Sequence, residues 1–83
     1  MRQLFLSGVA ERILISLNER NNHVAGIARN INVTYSHTTK IVNRLQDMKF
    51  LTKEKVGREL KVKLTKKGQK IQWHLKEIKE ILR

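Results

Sequence analysis

The spacing of apolar residues changes twice along this chain, and that change constrains the fold more than any other feature. Up to Met48 the apolar side chains recur every three to four residues, the repeat of an amphipathic helix. From Leu51 to Leu64 the repeat shortens to about two, the signature of strands, and beyond Lys66 the helical repeat returns. With no proline and only four glycines among 83 residues, few positions can break a helix, so helices should dominate. A chain this short has room for one core. It buries roughly 60–65% of the surface exposed when unfolded, so a second copy would add useful buried area. The expectation is a mainly α domain spanning residues 1–83, with a small β-hairpin.

Individual elements follow from the same spacing. A first helix is expected from about Gly8 to Glu19, capped by Ser7 and packing through Val9, Ile13, Leu14 and Leu17. Asn18, Arg20, Asn21 and Asn22 read as a polar turn, and His23 as a turn residue. A short second helix, about Val24 to Asn30, carries Val24, Ile27, Ala28 and Ile31 on one face. Asn30 and Asn32 suit the following turn, because Asn tolerates left-handed backbone. A third helix, 35–48, starts after Thr34 as N-cap. Its apolar face is Thr38, Ile41, Val42, Leu45 and Met48, and its opposite face is Tyr35, Ser36, His37, Thr39, Lys40, Asn43, Arg44 and Asp47.

Next come a strand from Leu51 to Val56, a turn at Gly57, Arg58 and Glu59, and a second strand from Leu60 to Leu64. Lys61 and Lys63 alternate with Leu60, Val62 and Leu64, so one face of the hairpin should be buried and the other cationic. Thr65 caps a last helix, 66–83, whose seam is Ile71, Leu75, Ile78 and Leu82. Trp73 and Ile81 lie off that seam. A helix apolar on more than one side points to self-association, with Trp73 in the core or at a dimer interface.

Charge narrows the partner. Eighteen Lys and Arg oppose seven Asp and Glu, a net +11, and the excess is concentrated. Residues 34–70 hold eleven basic side chains against Asp47, Glu54 and Glu59, a net +8; residues 1–33 carry +2 and residues 71–83 carry +1. A field of that sign and position suits a polyanion. The apolar run Leu4, Phe5 and Leu6 is too short to span a bilayer, and Glu11 and Arg12 interrupt any signal-peptide core, so a soluble cytoplasmic protein is expected. Zero cysteines exclude a disulfide scaffold and a sulfur-ligated zinc site. His23, His37 and His74 are scattered without clustered carboxylates, so no metal or other cofactor is expected. No Cys–His pair, glycine-rich phosphate loop, HExxH or paired apolar-site carboxylate is present, which argues against an enzyme.

The second and third helices have helix-turn-helix proportions, an arrangement that places the second of the pair in the DNA major groove. Short polar side chains early in that helix can read base edges, while Lys and Arg further along and on the hairpin can reach phosphates. At these residues the chain resembles the winged helix-turn-helix core of the MarR-type transcriptional regulators and their small archaeal and viral relatives. The resemblance rests on VAERILISL, IARNINVTYSHTTKIVNRLQDMKFL and GRELKVKLTKKG, about three quarters of the chain. It implies the order α-α-α-β-β-α and a regulator of transcription bound to double-stranded DNA; the apolar last helix adds the expectation of a homodimer through the first and last helices. It implies DNA contacts from Thr34, Tyr35, Ser36, His37, Thr39, Lys40 and Asn43, and backbone or minor-groove contact from Arg58 with Lys55 and Lys61 nearby; Arg44, on the same helix face, joins the DNA-binding set. Two departures stand out. Lys49 occupies a position where the family usually has Gly, and the longer flanking helices with which full-length members dimerise and form a ligand pocket are lacking, so no small-molecule effector is expected. The rival readings are a non-specific architectural DNA- or RNA-binding module and a winged helix that docks an acidic protein.

Overall fold

The computed structural model describes residues 8–82. Its elements are α1 (Val9–Ser16), α2 (Val24–Ile31), α3 (Tyr35–Asp47), the antiparallel strands β1 (Leu51–Val56) and β2 (Glu59–Leu64), and α4 (Lys66–Leu82). This is the expected α-α-α-β-β-α order. The core joins Ile13 and Leu14 of α1, Val24, Ile27 and Ile31 of α2, and Ile41, Val42 and Leu45 of α3 to Phe50, Leu51 and Val62.

α1 stops at Ser16, three residues before its expected end. Leu17 is buried like the helix residues before it but its backbone is extended. The Asn18 side-chain oxygen then accepts the N–H groups of Arg20 (2.8 Å) and Asn21 (2.9 Å), an Asx turn that outcompetes another helical turn. At the other end Gly8, with φ 81°, occupies the capping position without a side-chain hydrogen bond; the expected cap Ser7 lies outside the described residues. His23 is more than a turn residue. It forms a single antiparallel bridge with Lys61, and the Val62 N–H donates to Asn22 O at 2.7 Å, so the chain before α2 runs as a third, minimal edge beside β2.

Two left-handed residues end α2 and α3. After α2, Asn32 has φ 59°, the Val33 N–H reaches Ala28 O (3.0 Å) and the Asn32 N–H reaches Arg29 O (3.3 Å). This Schellman closure ends α2, with Asn30 still inside it rather than in the turn. Thr34 follows at once as N-cap of α3, accepting the His37 N–H at 3.2 Å. After α3, Lys49 has φ 68°, with Phe50 N–H on Leu45 O (3.0 Å) and Lys49 N–H on Gln46 O (2.9 Å). The Schellman pattern recurs, here with a Cβ-bearing Lys in the conformation that glycine adopts without strain, at a cost of roughly 1 kcal/mol.

The hairpin turn is shorter than expected. Val56 pairs with Glu59, leaving Gly57 and Arg58 as a two-residue connection, and positive φ at Gly57 alone (63°) is the type II′ pattern. LTKKG also acquires a physical meaning. Thr65 donates its hydroxyl to Lys49 O (2.6 Å) and accepts the Gly68 N–H (3.0 Å), while its own N–H reaches Phe50 O (3.1 Å). A Cβ on Gly68 would sit 1.8 Å from Phe50 O, so only glycine lets α4 dock this closely. Further along α4, the Gln72 side-chain amide donates to Leu14 O (2.7 Å) and Leu17 O (2.8 Å), closing the otherwise open end of α1. Arg12 does the same for α2 by donating to Ile31 O.

Candidate nucleic-acid interface

α3 is two-faced. Thr38, Ile41, Val42 and Leu45 are buried and Met48 is half-buried, so the expected inward face is the observed one. Thr38 is the one buried polar side chain among the described residues, and its hydroxyl donates to Thr34 O at 2.8 Å. Outward project Thr34, Tyr35, Ser36, His37, Lys40, Asn43 and Arg44, all exposed, with Asp47 at the far end. Thr39 is half-buried and its hydroxyl is turned back on Tyr35 O (2.9 Å). Among the described residues, the side chains of Ser36, His37, Lys40 and Arg44 have no intramolecular partner, so their hydrogen-bonding and charge capacity is directed outward.

The wing does not have the cationic face that alternation along β2 suggested. The register pairs Lys53 with Val62 and Lys55 with Leu60, which puts Lys53 and Lys55 on the same side as the core-facing Leu60, Val62 and Leu64. Lys61 and Lys63 lie on the opposite side with Thr52, Glu54, Val56 and Glu59, a face of mixed charge, and Lys61 is half-buried directly across from Glu54. Lys55 and Lys61, expected as neighbours of Arg58 in one cationic patch, therefore sit on different faces of the hairpin. Arg58 is exposed at the tip.

Lys53 is not among the expected contact residues, yet it touches the outward face of α3. Its ammonium donates to the Asn43 side-chain carbonyl, so the wing root and the outward face of α3 share a hydrogen bond. The signal that locates it is the two-residue turn, which fixes the register and with it the side on which every strand residue lies.

A cleft of about 560 Å³ separates the wing tip from the helix pair. Tyr35 at the start of α3 and Arg58 at the tip both line it, so the two expected contact regions border one concavity. Its remaining wall comes from the turn before α2 and from α2 itself. Glu59 is the carboxylate among its lining residues, and that carboxylate pairs with His23 Nε2. No group of three or more His, Cys, Asp or Glu side chains close enough to hold a metal occurs among the described residues. Nor is any described helix long and apolar enough to cross a membrane.

Comparison with known proteins places this geometry. No curated protein matches the chain in sequence. Among solved structures, AF1382 from Archaeoglobus fulgidus superposes with a TM-score of 0.85 at 30% identity, over 92% of this chain and 89% of that one. Two variants of Lactococcus lactis ZitR give TM-scores of 0.76 and 0.78 at 22% and 23% identity, which shows a shared fold. The chain spans only 53% and 62% of those two ZitR chains. Residues 8–83 match the winged helix-turn-helix family, and the chain belongs to that family.

Proposed function

We propose that this protein is a sequence-specific regulator of transcription, acting in the cytoplasm on double-stranded DNA. In this reading α3 enters the major groove, with Ser36, His37 and Asn43 on base edges and Thr34, Tyr35, Thr39, Lys40 and Arg44 on base edges or the flanking backbone. Arg58 at the wing tip contacts phosphates or the minor groove, with Lys55 and Lys61 adding positive charge from opposite faces of the hairpin. One observation carries the reading most directly. The outward face of α3 is polar and cationic, and its Ser36, His37, Lys40 and Arg44 side chains have no partner among the described residues, on a winged helix-turn-helix whose inward face packs into the core. Such a face gains from a polyanion and from base-edge hydrogen bonds.

Self-association as a homodimer belongs to the same reading. α4 has 17 residues and runs about 25 Å, whereas the facing α1 has 8 and runs about 12 Å, so the seam outlasts its partner. Ile15, Leu75, Ile78 and Leu82 line an apolar groove left at that step, with Arg12 and Lys79 on its rim. Glu11, Arg12 and Lys79 mix both signs along it, which lets the surface complement a copy of itself. The +8 segment, by contrast, would repel its own copy. A two-fold dimer built this way would read half-sites about one helical turn apart, roughly 10 bp.

The test is a gel-shift with genomic fragments in excess unrelated duplex. The reading expects a fragment that stays bound under competition, with affinity falling steeply between 50 and 200 mM salt. Arg58→Ala should weaken every duplex alike, whereas Ser36→Ala or Asn43→Ala should change which sequence is preferred. Equal loss of all fragments to competitor would instead mark a non-specific architectural module. Failure of any duplex to bind would leave an acidic protein as the partner of the basic face.

A further inference from the structure

The cleft between the wing tip and the helix pair is more than a gap between two contact regions. Arg20 from the turn before α2, Arg29 from α2 and Arg58 from the wing tip line it together. They come from three separate elements, and all three are exposed. None has an ion-pair partner among the described residues, and Glu59, the one acid on the cleft wall, is already paired with His23. Tyr35 adds a phenol at the edge. Three guanidinium groups without ion-pair partners face one cleft beside a single carboxylate, Glu59, so the cleft keeps an excess of positive charge. A bound anion offsets that excess, and the planar fork of Arg matches phosphate oxygens in two hydrogen bonds at once.

We propose that this cleft seats a backbone phosphodiester of the bound duplex, with Arg20 and Arg29 as DNA-contacting residues outside both α3 and the wing. The inference rests on the DNA-binding reading above and extends it. An extended polyanion is favoured over a free small anion because the cleft is open and continuous with the outward face of α3 through Tyr35. A strand leaving the major groove at the start of α3 would pass between Tyr35 and Arg58, within reach of both further arginines. Recognition by this cleft concerns phosphates, so it adds affinity and register without sequence information.

The experiment measures binding of a labelled preferred duplex and a labelled unrelated duplex between 50 and 200 mM salt. It compares the wild type, Arg20→Ala, Arg29→Ala, the double variant, Glu59→Gln and the exposed α4 control Lys70→Ala. Circular dichroism confirms folding, with Arg20→Gln and Arg29→Gln as milder replacements should an alanine variant fail to fold. Inorganic phosphate at 1 mM and matched ionic strength, read by thermal shift, tests for a free-anion site. The expected result is a three- to ten-fold weakening for each arginine variant on both duplexes alike. The double variant should show a salt slope shallower by about one. Glu59→Gln should bind more tightly, Lys70→Ala should be unchanged, and 1 mM phosphate should have no effect. Arginine variants that bind duplex with wild-type affinity and slope overturn the inference while leaving the DNA-binding reading intact; stabilisation by phosphate alongside them would assign the cleft to a free anion instead. Absence of duplex binding by the wild type would overturn both.

Discussion

α3 and α4 are both amphipathic helices, yet they are finished to different standards. The aliphatic side chains of α3, Ile41, Val42 and Leu45, are all buried, and apart from the phenol of Tyr35 what the helix exposes is polar or charged. α4 buries its apolar side only along its first half, where Ile71 and Leu75 pack on the core. Its second half leaves Ile78 52%, Ile81 81% and Leu82 78% exposed, with Trp73 58% exposed on another side. Trp73 is therefore not a core residue, and its contact with the neighbouring His74 ring, edge-on at 5.0 Å, leaves most of it in solvent. The difference teaches that exposure has two meanings in one small domain. A polar, cationic face whose basic side chains have no internal partners suits a hydrated polyanion. An apolar face rimmed by both charge signs suits protein.

Core truncation gives the widest separation between the two helices. Leu45→Ala should cost about 2–5 kcal/mol in urea unfolding, because it empties a fully buried site. Ile81→Ala, measured at protein concentrations low enough to keep the chain monomeric, should stay within about 0.5 kcal/mol of wild type. Comparable losses at both sites would mean that the end of α4 is packed within the monomer and that the contrast is mistaken. Next in size comes the joint between the helices. Gly68→Ala forces a methyl against the Phe50 carbonyl and should cost about 1–3 kcal/mol or more, seen as a lower urea midpoint. Thr65 and Gly68 are then what fix α4 against the end of α3, and a neutral result would show that α4 docks more loosely.

A third variant sharpens the comparison from the outside. Ile78→Asp combined with Leu82→Asp should leave the unfolding of dilute protein nearly unchanged and weaken self-association about ten-fold or more in sedimentation experiments. Unchanged sedimentation would move the dimer interface elsewhere. The smallest effect concerns the end of α3. Lys49→Gly relieves a Cβ at φ 68° and should raise stability by roughly 1 kcal/mol in the same urea assay, with no change in duplex affinity.

Much of this was legible in the sequence where the physics is local. Thr34 announced the start of α3 because a threonine hydroxyl can satisfy an orphan N–H three residues on, and the inward face followed from spacing alone. α1 was over-extended because apolar spacing reports burial, not backbone conformation. Leu17 continues the buried pattern of Ile13 and Leu14 while its own backbone has left the helix, and the Asn18 side chain that ends the helix carries no periodicity. On the wing, reading three turn residues instead of two left the strand register open. That register decides whether Lys53 and Lys55, or Lys61 and Lys63, share the side of the core. The cleft could not be read at all, since it joins residues 20, 29, 35 and 58 through tertiary packing.

Backbone amide shifts during titration with duplex DNA test the role of the outward face of α3 most directly. Binding through this face predicts the largest changes at residues 34–44 and at Gly57 and Arg58, with smaller ones at Arg20 and Arg29 and none beyond residue 76. A titration in which residues 34–44 stay still while residues 73–82 respond would contradict it.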